Sequence, residues 1–113
     1  MQVFSHCLYE FQKGVRKLVL LTLDIYELNN IITRLEKDKI PYHFQYLKNK
    51  KANLYFGEEN CVNVAKMLSK KPLNNLSEEE DFMLGIMLGY DVQQQCKRYL
   101  DFKNIKQKDN HLS

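Results

Sequence analysis

The chain has 113 residues, of which 44% are hydrophobic and 27% are charged, and its net charge is +3. A chain of this length forms one domain with an ordinary hydrophobic core, and the mild charge argues against a dedicated nucleic-acid binder. The cysteines, Cys7, Cys61 and Cys96, are isolated and odd in number, which argues against a disulfide framework or a CxxC metal site and indicates the cytoplasm. No uncharged apolar run is long enough to cross a membrane.

The N-terminal segment allows two interpretations. In the first, residues 2–4 form a short strand and Ser5–Gln12 form a helix that stops at Gly14. In the second, one strand extends from Gln2 onward. The apolar residues that suit the helix are Cys7, Leu8 and Phe11.

A buried strand and an amphipathic helix are predicted next. Val15–Leu23, with the sequence VRKLVLLTL, is rich in aliphatic residues and is the best candidate for a central strand. Asp24 begins the helix, with Glu27 at capping-box spacing, and Pro41 prevents its continuation. The apolar face of this helix is formed by Leu28, Ile31, Ile32 and Leu35.

Two alternating segments predict a β-hairpin over about residues 42–56. The apolar side chains alternate along each strand: Tyr42, Phe44 and Tyr46 in the first, and Ala52, Leu54 and Phe56 in the second. Matching the two apolar faces places Tyr46 opposite Ala52 or opposite Leu54, and either register requires an odd loop of three residues. A two-residue turn at Asn49-Lys50 would set each apolar face against the wrong one.

A further helix is predicted directly after the hairpin. Glu58 and Glu59 stand at its positive end, and the segment Lys70-Lys71-Pro72 closes it. Its apolar stripe consists of Cys61, Val62, Ala65 and Leu68.

The C-terminal helix starts at a capping box. Ser77 and Glu80 have the S-x-x-E spacing, and the acids at 78–80 suit the first turn of a helix better than a catalytic site. One continuous helix to about Phe102 would be longer than a compact domain of this size, which favours either a homodimer or a break near Gly89 with Asp91 as a second cap. Residues 103–113 are expected to form a flexible basic tail.

The segment after the capping box is apolar around its whole circumference, so a single neighbouring layer does not cover it. We therefore predict that this segment is a contact surface, and a homodimer is the favoured assembly. Its two glycines allow another backbone to approach closely. The predicted interface residues are Phe82, Met83, Gly85, Ile86, Met87, Gly89 and Tyr90.

The order of these elements predicts an α+β fold. We expect a single two-layer domain of residues 1–102, with a mixed or antiparallel sheet of three to four strands around the hairpin. Helices cover this sheet, and a long helix ends the domain.

Basic residues dominate the first two thirds of the chain, since residues 1–76 carry 12 Lys and Arg against 7 Asp and Glu. This balance favours an acidic protein as partner. The predicted contacts are Lys48, Lys50, Lys51, Lys70 and Lys71.

Two other functions remain open at this point. A thiol-dependent redox protein or enzyme would use Cys96 or Cys7 with His6, although no catalytic, metal or cofactor motif supports it. A single-stranded nucleic-acid binder would use the tyrosines of the hairpin, Tyr42, Tyr46 and Tyr55, beside its lysines. Binding without catalysis is the favoured function, and no cofactor is expected.

Three segments carry a family resemblance: YEFQKGVRKLVLLT, YHFQYL…NLYFG and PLNNLSEEEDFMLGIMLGYDVQQQCKRYL. Together, over roughly residues 2 to 100, they resemble a family of small bacterial proteins known as domain of unknown function 2023. The resemblance implies a single α/β domain and implies no activity, cofactor or catalytic residue. Relatives encoded beside a flavodoxin would make the acidic partner a flavodoxin-like protein.

Overall fold

The computed structural model describes the backbone of residues 2–112 and the side chains of residues 2–104. The chain divides into two compact units, residues 1–67 and residues 68–113. The predicted single domain of residues 1–102 and the predicted flexible tail at 103–113 both stay predictions, and the backbone of residues 103–112 is helical. Of the described helices, none combines the length and hydrophobicity that crossing a membrane requires.

Unit 1 contains a three-stranded antiparallel sheet with helices. Its elements in chain order are α1 (Gln2–Gln12), β1 (Leu18–Asp24), α2 (Ile25–Lys37), β2 (Tyr42–Leu47), β3 (Lys51–Gly57) and α3 (Glu59–Leu68). The strand order is β1-β3-β2, so β3 lies between the other two. The predicted α+β class, the antiparallel sheet and the hairpin are thereby confirmed.

Unit 2 is helical within its described part. After a short 3-10 turn at Leu73–Asn75, it contains α4 (Glu78–Met87) and α5 (Val92–Leu112). The two helices are joined by a short connection at residues 88–91. A long C-terminal helix is thus present, although it begins at Val92 and not at the capping box.

The hairpin has the predicted odd loop. Tyr46 pairs with Ala52 and Leu47 pairs with Lys51, which leaves the three residues 48–50 as the connection. Asn49 and Lys50 adopt left-handed backbone, with φ of 60° and 56°. This loop keeps the apolar sides of β2 and β3 on the same face of the sheet, as the sequence requires.

That face carries the hydrophobic core of unit 1. Helix α1 packs on it, because the rings of Phe4 and Phe11 lie 5.6 Å and 6.2 Å from the ring of Phe56. Helix α2 supplies its predicted apolar face, with Ile32 only half-buried. The buried core residues are Phe4, Cys7, Leu8, Val19, Leu23, Leu28, Ile31, Leu35, Ile40, Ala52, Leu54 and Phe56.

Three local predictions need correction. Residues 2–4 belong to α1, so the helical interpretation of the N-terminus is correct and no strand precedes it. The predicted strand Val15–Leu23 is observed as β1 (Leu18–Asp24), which is only partly buried and lies at an edge of the sheet because β3 takes the centre. Asp24 is the N-cap of α2 without a side-chain capping bond, because its carboxylate accepts from Lys51, its cross-strand partner, at 2.7 Å.

Deleting Asn49 should unfold unit 1, because a two-residue loop would turn the apolar side of β2 away from that of β3. Asn49→Gly keeps the loop length and suits left-handed backbone, so it should retain the wild-type fold. Far-UV circular dichroism and urea unfolding compare the two variants. A deletion variant with the wild-type urea midpoint would refute the requirement for an odd loop.

Candidate functional site

The first turn of α4 is a complete capping box. Ser77 Oγ accepts from the backbone N–H of Glu80 at 3.1 Å, and Glu80 Oε1 accepts from the N–H of Ser77 at 2.9 Å. Lys71 Nζ also donates to Glu80, at 2.7 Å. Hydrogen bonds from Lys71 and from the Ser77 amide hold the pKa of Glu80 at about 2. The predicted capping box is confirmed, and its acid is a structural group.

Helix α4 ends at Gly89, which has a φ of +80°. The N–H of Gly89 donates to Ile86 O at 3.0 Å and the N–H of Tyr90 donates to Gly85 O at 3.1 Å, the two bonds of a Schellman ending. Asp91 Oδ2 then accepts from the N–H of Gln94 at 3.0 Å and begins α5. The predicted break is therefore correct and a continuous helix to Phe102 is wrong, so helix length no longer argues for a dimer.

Helices α4 and α5 pack against each other as an antiparallel pair. The rings of Phe82 and Tyr99 lie 5.4 Å apart. A Cβ on Gly85 would lie 2.2 Å from Gln95 Oε1, so this glycine admits a side chain of α5. Gly85 and Gly89, predicted at an interface between chains, thus each have a role inside this unit.

An open groove of about 450 Å³ lies along this helix pair. Its lining, almost wholly apolar, is formed by Glu79, Phe82, Met83, Cys96, Tyr99 and Leu100. The volume is within the range of ligand-binding pockets. Met83 and Leu100 are 45% and 55% exposed, so two large apolar side chains also project into solvent at the groove.

The charged groups beside the groove are paired within unit 2. Glu79 accepts from Tyr99 Oη at 2.8 Å and lies 2.7 Å from Lys103 Nζ. These two hydrogen bonds, that of Lys103 first, lower the pKa of Glu79. Asp81 pairs with Arg98 at 2.9 Å. The groove therefore offers an apolar contact that does not require a charged ligand.

The predicted interface residues differ in exposure. Met83, Gly89 and Tyr90 are exposed, Phe82, Ile86 and Met87 are half-buried, and Gly85 is buried. Sequence reasoning missed the α5 side of the groove, namely Cys96, Tyr99 and Leu100. Their spacing of i, i+3 and i+4 on a helix was the signal that could have found them.

The candidate thiol site is not assembled around His6. Cys7 is 6% exposed and faces the core of unit 1, where Arg16 Nη1 lies 3.5 Å from its sulfur. The His6 side chain is 74% exposed and lies 3.5 Å from Glu10. Cys61 and Cys96 are half-buried and, like Cys7, form no disulfide. Among the side chains of residues 2–104, no three His, Cys, Asp or Glu residues come together as a metal site.

The aromatic side chains of the hairpin do not share one surface. Tyr55 is 1% exposed and stacks with His43 on the face opposite the core, with ring centroids 6.3 Å apart. Burial, and then the charge of Lys66, lower the pKa of His43. Tyr42 is half-buried and donates to Glu36 at 3.3 Å, which leaves Tyr46 as the exposed ring. A stacking platform for single-stranded nucleic acid would need several exposed aromatic rings on one surface.

The predicted lysine contacts fall in both units and differ in pairing. Lys51 lies 2.7 Å from Asp24, Lys71 lies 2.7 Å from Glu80, and Lys50 Nζ donates to a tyrosine hydroxyl, that of Tyr26, at 3.3 Å. Lys48 and Lys70 are exposed and form no salt bridge with the described residues. These two ammonium groups are the ones most available to a partner.

One family model matches this chain over residues 2–102, and its description reads "Protein of unknown function (DUF2023)". The match confirms the resemblance noted in the sequence. No curated protein matches the chain. The function therefore has to be argued from the groove and its surroundings.

Replacing Glu80 by Gln should lower the melting temperature at neutral pH, because Lys71 loses its carboxylate partner. The folded-state pKa of Glu80, about 2, lies below the ordinary 4.5. The ionised carboxylate therefore stabilises the fold above pH 4.5, and this contribution disappears as the pH falls towards 2. The melting temperatures of wild type and variant should converge over that range.

The control is Glu59→Gln, which removes an exposed acid from the first turn of α3. It shows how much the melting temperature changes when a negative charge is lost at a helix start without a lysine partner among the described residues. A Glu80→Gln difference that stayed constant down to pH 2 would contradict the role given to the ionised carboxylate of Glu80.

Proposed function

Since the chain belongs to the family described as Protein of unknown function (DUF2023), we propose from its own geometry that it is a non-catalytic binding protein that acts as a homodimer. The observation that carries the proposal is the apolar groove of α4 and α5, with Met83 and Leu100 projecting beside it. A contiguous exposed apolar surface of this kind marks an interaction site more often than a catalytic one.

A second copy of the chain suits this groove because the surface is self-complementary. A two-fold dimer brings the same patch together from both copies, so the projecting side chains of one copy meet the groove of the other. Two antiparallel helix pairs then form a four-helix arrangement, a common way to bury such faces. Met83 and Leu100 are already about half-buried, so each gains roughly half of the 1.5–3 kcal/mol that full burial of such a side chain contributes, and the dimer contains four of them.

The pairing of charges beside the groove also supports self-association. The acids nearest the groove, Glu79 and Asp81, are held by Lys103 and Arg98 of the same chain. A partner is therefore not selected by charge at this surface. The same apolar groove on a second copy of the chain is therefore a suitable partner for this surface.

A location in the cytoplasm and an acidic partner complete the proposal. The three cysteines form no disulfide, which suits a reducing compartment. Lys48 at the hairpin and Lys70 after α3 offer unpaired positive charge to an acidic protein. A flavodoxin-like protein is the partner that the family resemblance of the sequence implies.

Met83→Glu should halve the mass of the assembly, because each interface would bury two new carboxylates without a partner. Sedimentation velocity over a concentration series measures this change. Met67→Glu is the matched control, since Met67 is an exposed methionine of α3 that does not line the groove. If the mass of Met83→Glu equals that of the wild type while the variant remains folded, the groove is not the dimer interface.

Replacing both Lys48 and Lys70 by Glu should weaken binding to an acidic flavodoxin at least tenfold at low salt, because attraction becomes repulsion. Isothermal titration at low and high salt measures this, and the wild-type affinity should fall as salt rises. The control replaces Lys13 and Lys37, which are also exposed, by Glu. Equal weakening by both double variants would show that only net charge matters and would refute these two contacts.

A further inference from the structure

Strand β1 has the composition of an interior strand but the position of an edge strand. The order β1-β3-β2 leaves one side of β1 without a neighbouring strand among the described residues. From Leu18 to Leu23 its sequence is LVLLTL, with seven consecutive pairs to β3 along the whole strand. Proteins usually protect an edge with a charge, a proline or a bulge, and β1 has no proline and no bulge, with Asp24 at its very end as its one charged residue.

The backbone groups that point away from β3 can be identified. The N–H of Glu58 donates to Lys17 O and the N–H of Ile25 donates to Lys50 O, each at 2.9 Å. Hydrogen-bonded pairs alternate along an antiparallel ladder, so the odd-numbered residues of β1 bond to β3. Leu18, Leu20 and Thr22 therefore direct their N–H and C=O groups away from β3. Leu18 is fully buried, so Leu20 and Thr22 are the residues at which this edge is accessible.

The other edge of the sheet differs in kind. Strand β2 follows Pro41, is followed by Lys48, and alternates apolar residues with His43 and Gln45. These are the features of an edge that stays unpaired. Of the two edges of the sheet, the one formed by β1 is therefore the better candidate for pairing with a further strand.

We propose that β1 pairs antiparallel with β1 of a second copy, which joins two three-stranded sheets into one of six strands. Residues directly opposite each other share a face of the sheet, so the pairing must match odd residues with odd ones. A two-fold axis at Leu21 meets this condition, with Val19 opposite Leu23 of the second copy. An axis at Leu20 also does, but it pairs Thr22 with the fully buried Leu18, whereas the axis at Leu21 pairs Thr22 with Leu20.

The strand pairing goes beyond the proposed groove contact and is separate from it. Strand β1 belongs to unit 1, whereas the groove belongs to unit 2. Each contact is two-fold and uses a different surface. A chain that uses both forms an assembly larger than a dimer, and loss of either contact leaves the dimer held by the other.

Thr22→Pro tests the pairing. Proline removes the outward N–H of residue 22 but none of the hydrogen bonds to β3. A strand at the edge of a sheet accepts a proline at such a position, so the variant should fold. Thr22→Val is the matched control, because it keeps the N–H while removing the 2.7 Å hydrogen bond from Thr22 to Asn53. Sedimentation velocity should give an assembly larger than a dimer for the wild type, a dimer for Thr22→Pro and for Met83→Glu, and a monomer for the double variant.

The outcomes separate the two contacts. If Thr22→Pro and Thr22→Val both keep the wild-type mass, the strand pairing is overturned, whatever Met83→Glu does. If only Thr22→Pro halves the mass, the strand pairing stands and the groove dimer fails.

Hydrogen exchange of the wild-type chain gives a second measurement that does not depend on a variant that folds. The amides of Leu20 and Thr22 should be protected at high concentration and exchange at least tenfold faster on dilution, while those of Val19 and Leu21 stay protected. Fast exchange of Leu20 and Thr22 at every concentration would overturn the pairing.

Discussion

Strand β3 is the element on which unit 1 depends, because it is hydrogen-bonded along both of its edges. Its residues alternate between the two neighbouring strands, and its apolar residues Ala52, Leu54 and Phe56 all point to the helices α1 and α2. The apolar sides of β1 and β2 must lie on the same face of the sheet as the apolar side of β3, and for β2 this requires an odd number of residues in the hairpin loop. The core, the loop and the positions of both helices follow from that agreement.

In unit 2, short-range polar contacts decide where apolar surface remains. The capping box begins α4, Gly89 ends it, and Asp91 begins α5, so the helices fold back on each other. Salt bridges between the helices neutralise their charges. Phe82 and Tyr99 pack together, but Met83 and Leu100 are left partly in solvent. An apolar groove with satisfied charges around it is therefore a consequence of how the helix pair closes.

The two surfaces proposed for assembly leave different groups without a partner among the described residues. At the edge of β1 they are backbone N–H and C=O groups, whereas at the groove they are the apolar side chains of Met83 and Leu100. Burying apolar area is the main favourable term in protein association. Contact with other chains is the function that we propose for both surfaces.

The sequence alone determined the features that depend on local periodicity. The apolar face of α2, the alternation and loop length of the hairpin, and the capping box at Ser77 could all be predicted, because each involves residues close along the chain. Tertiary structure decided the rest. Val15–Leu23 is apolar on both faces, but which strand lies beside it depends on long-range pairing. Likewise, Asp24 bonds to Lys51 instead of capping α2, and Cys96, Tyr99 and Leu100 complete the groove, because those contacts exist only once distant segments have met.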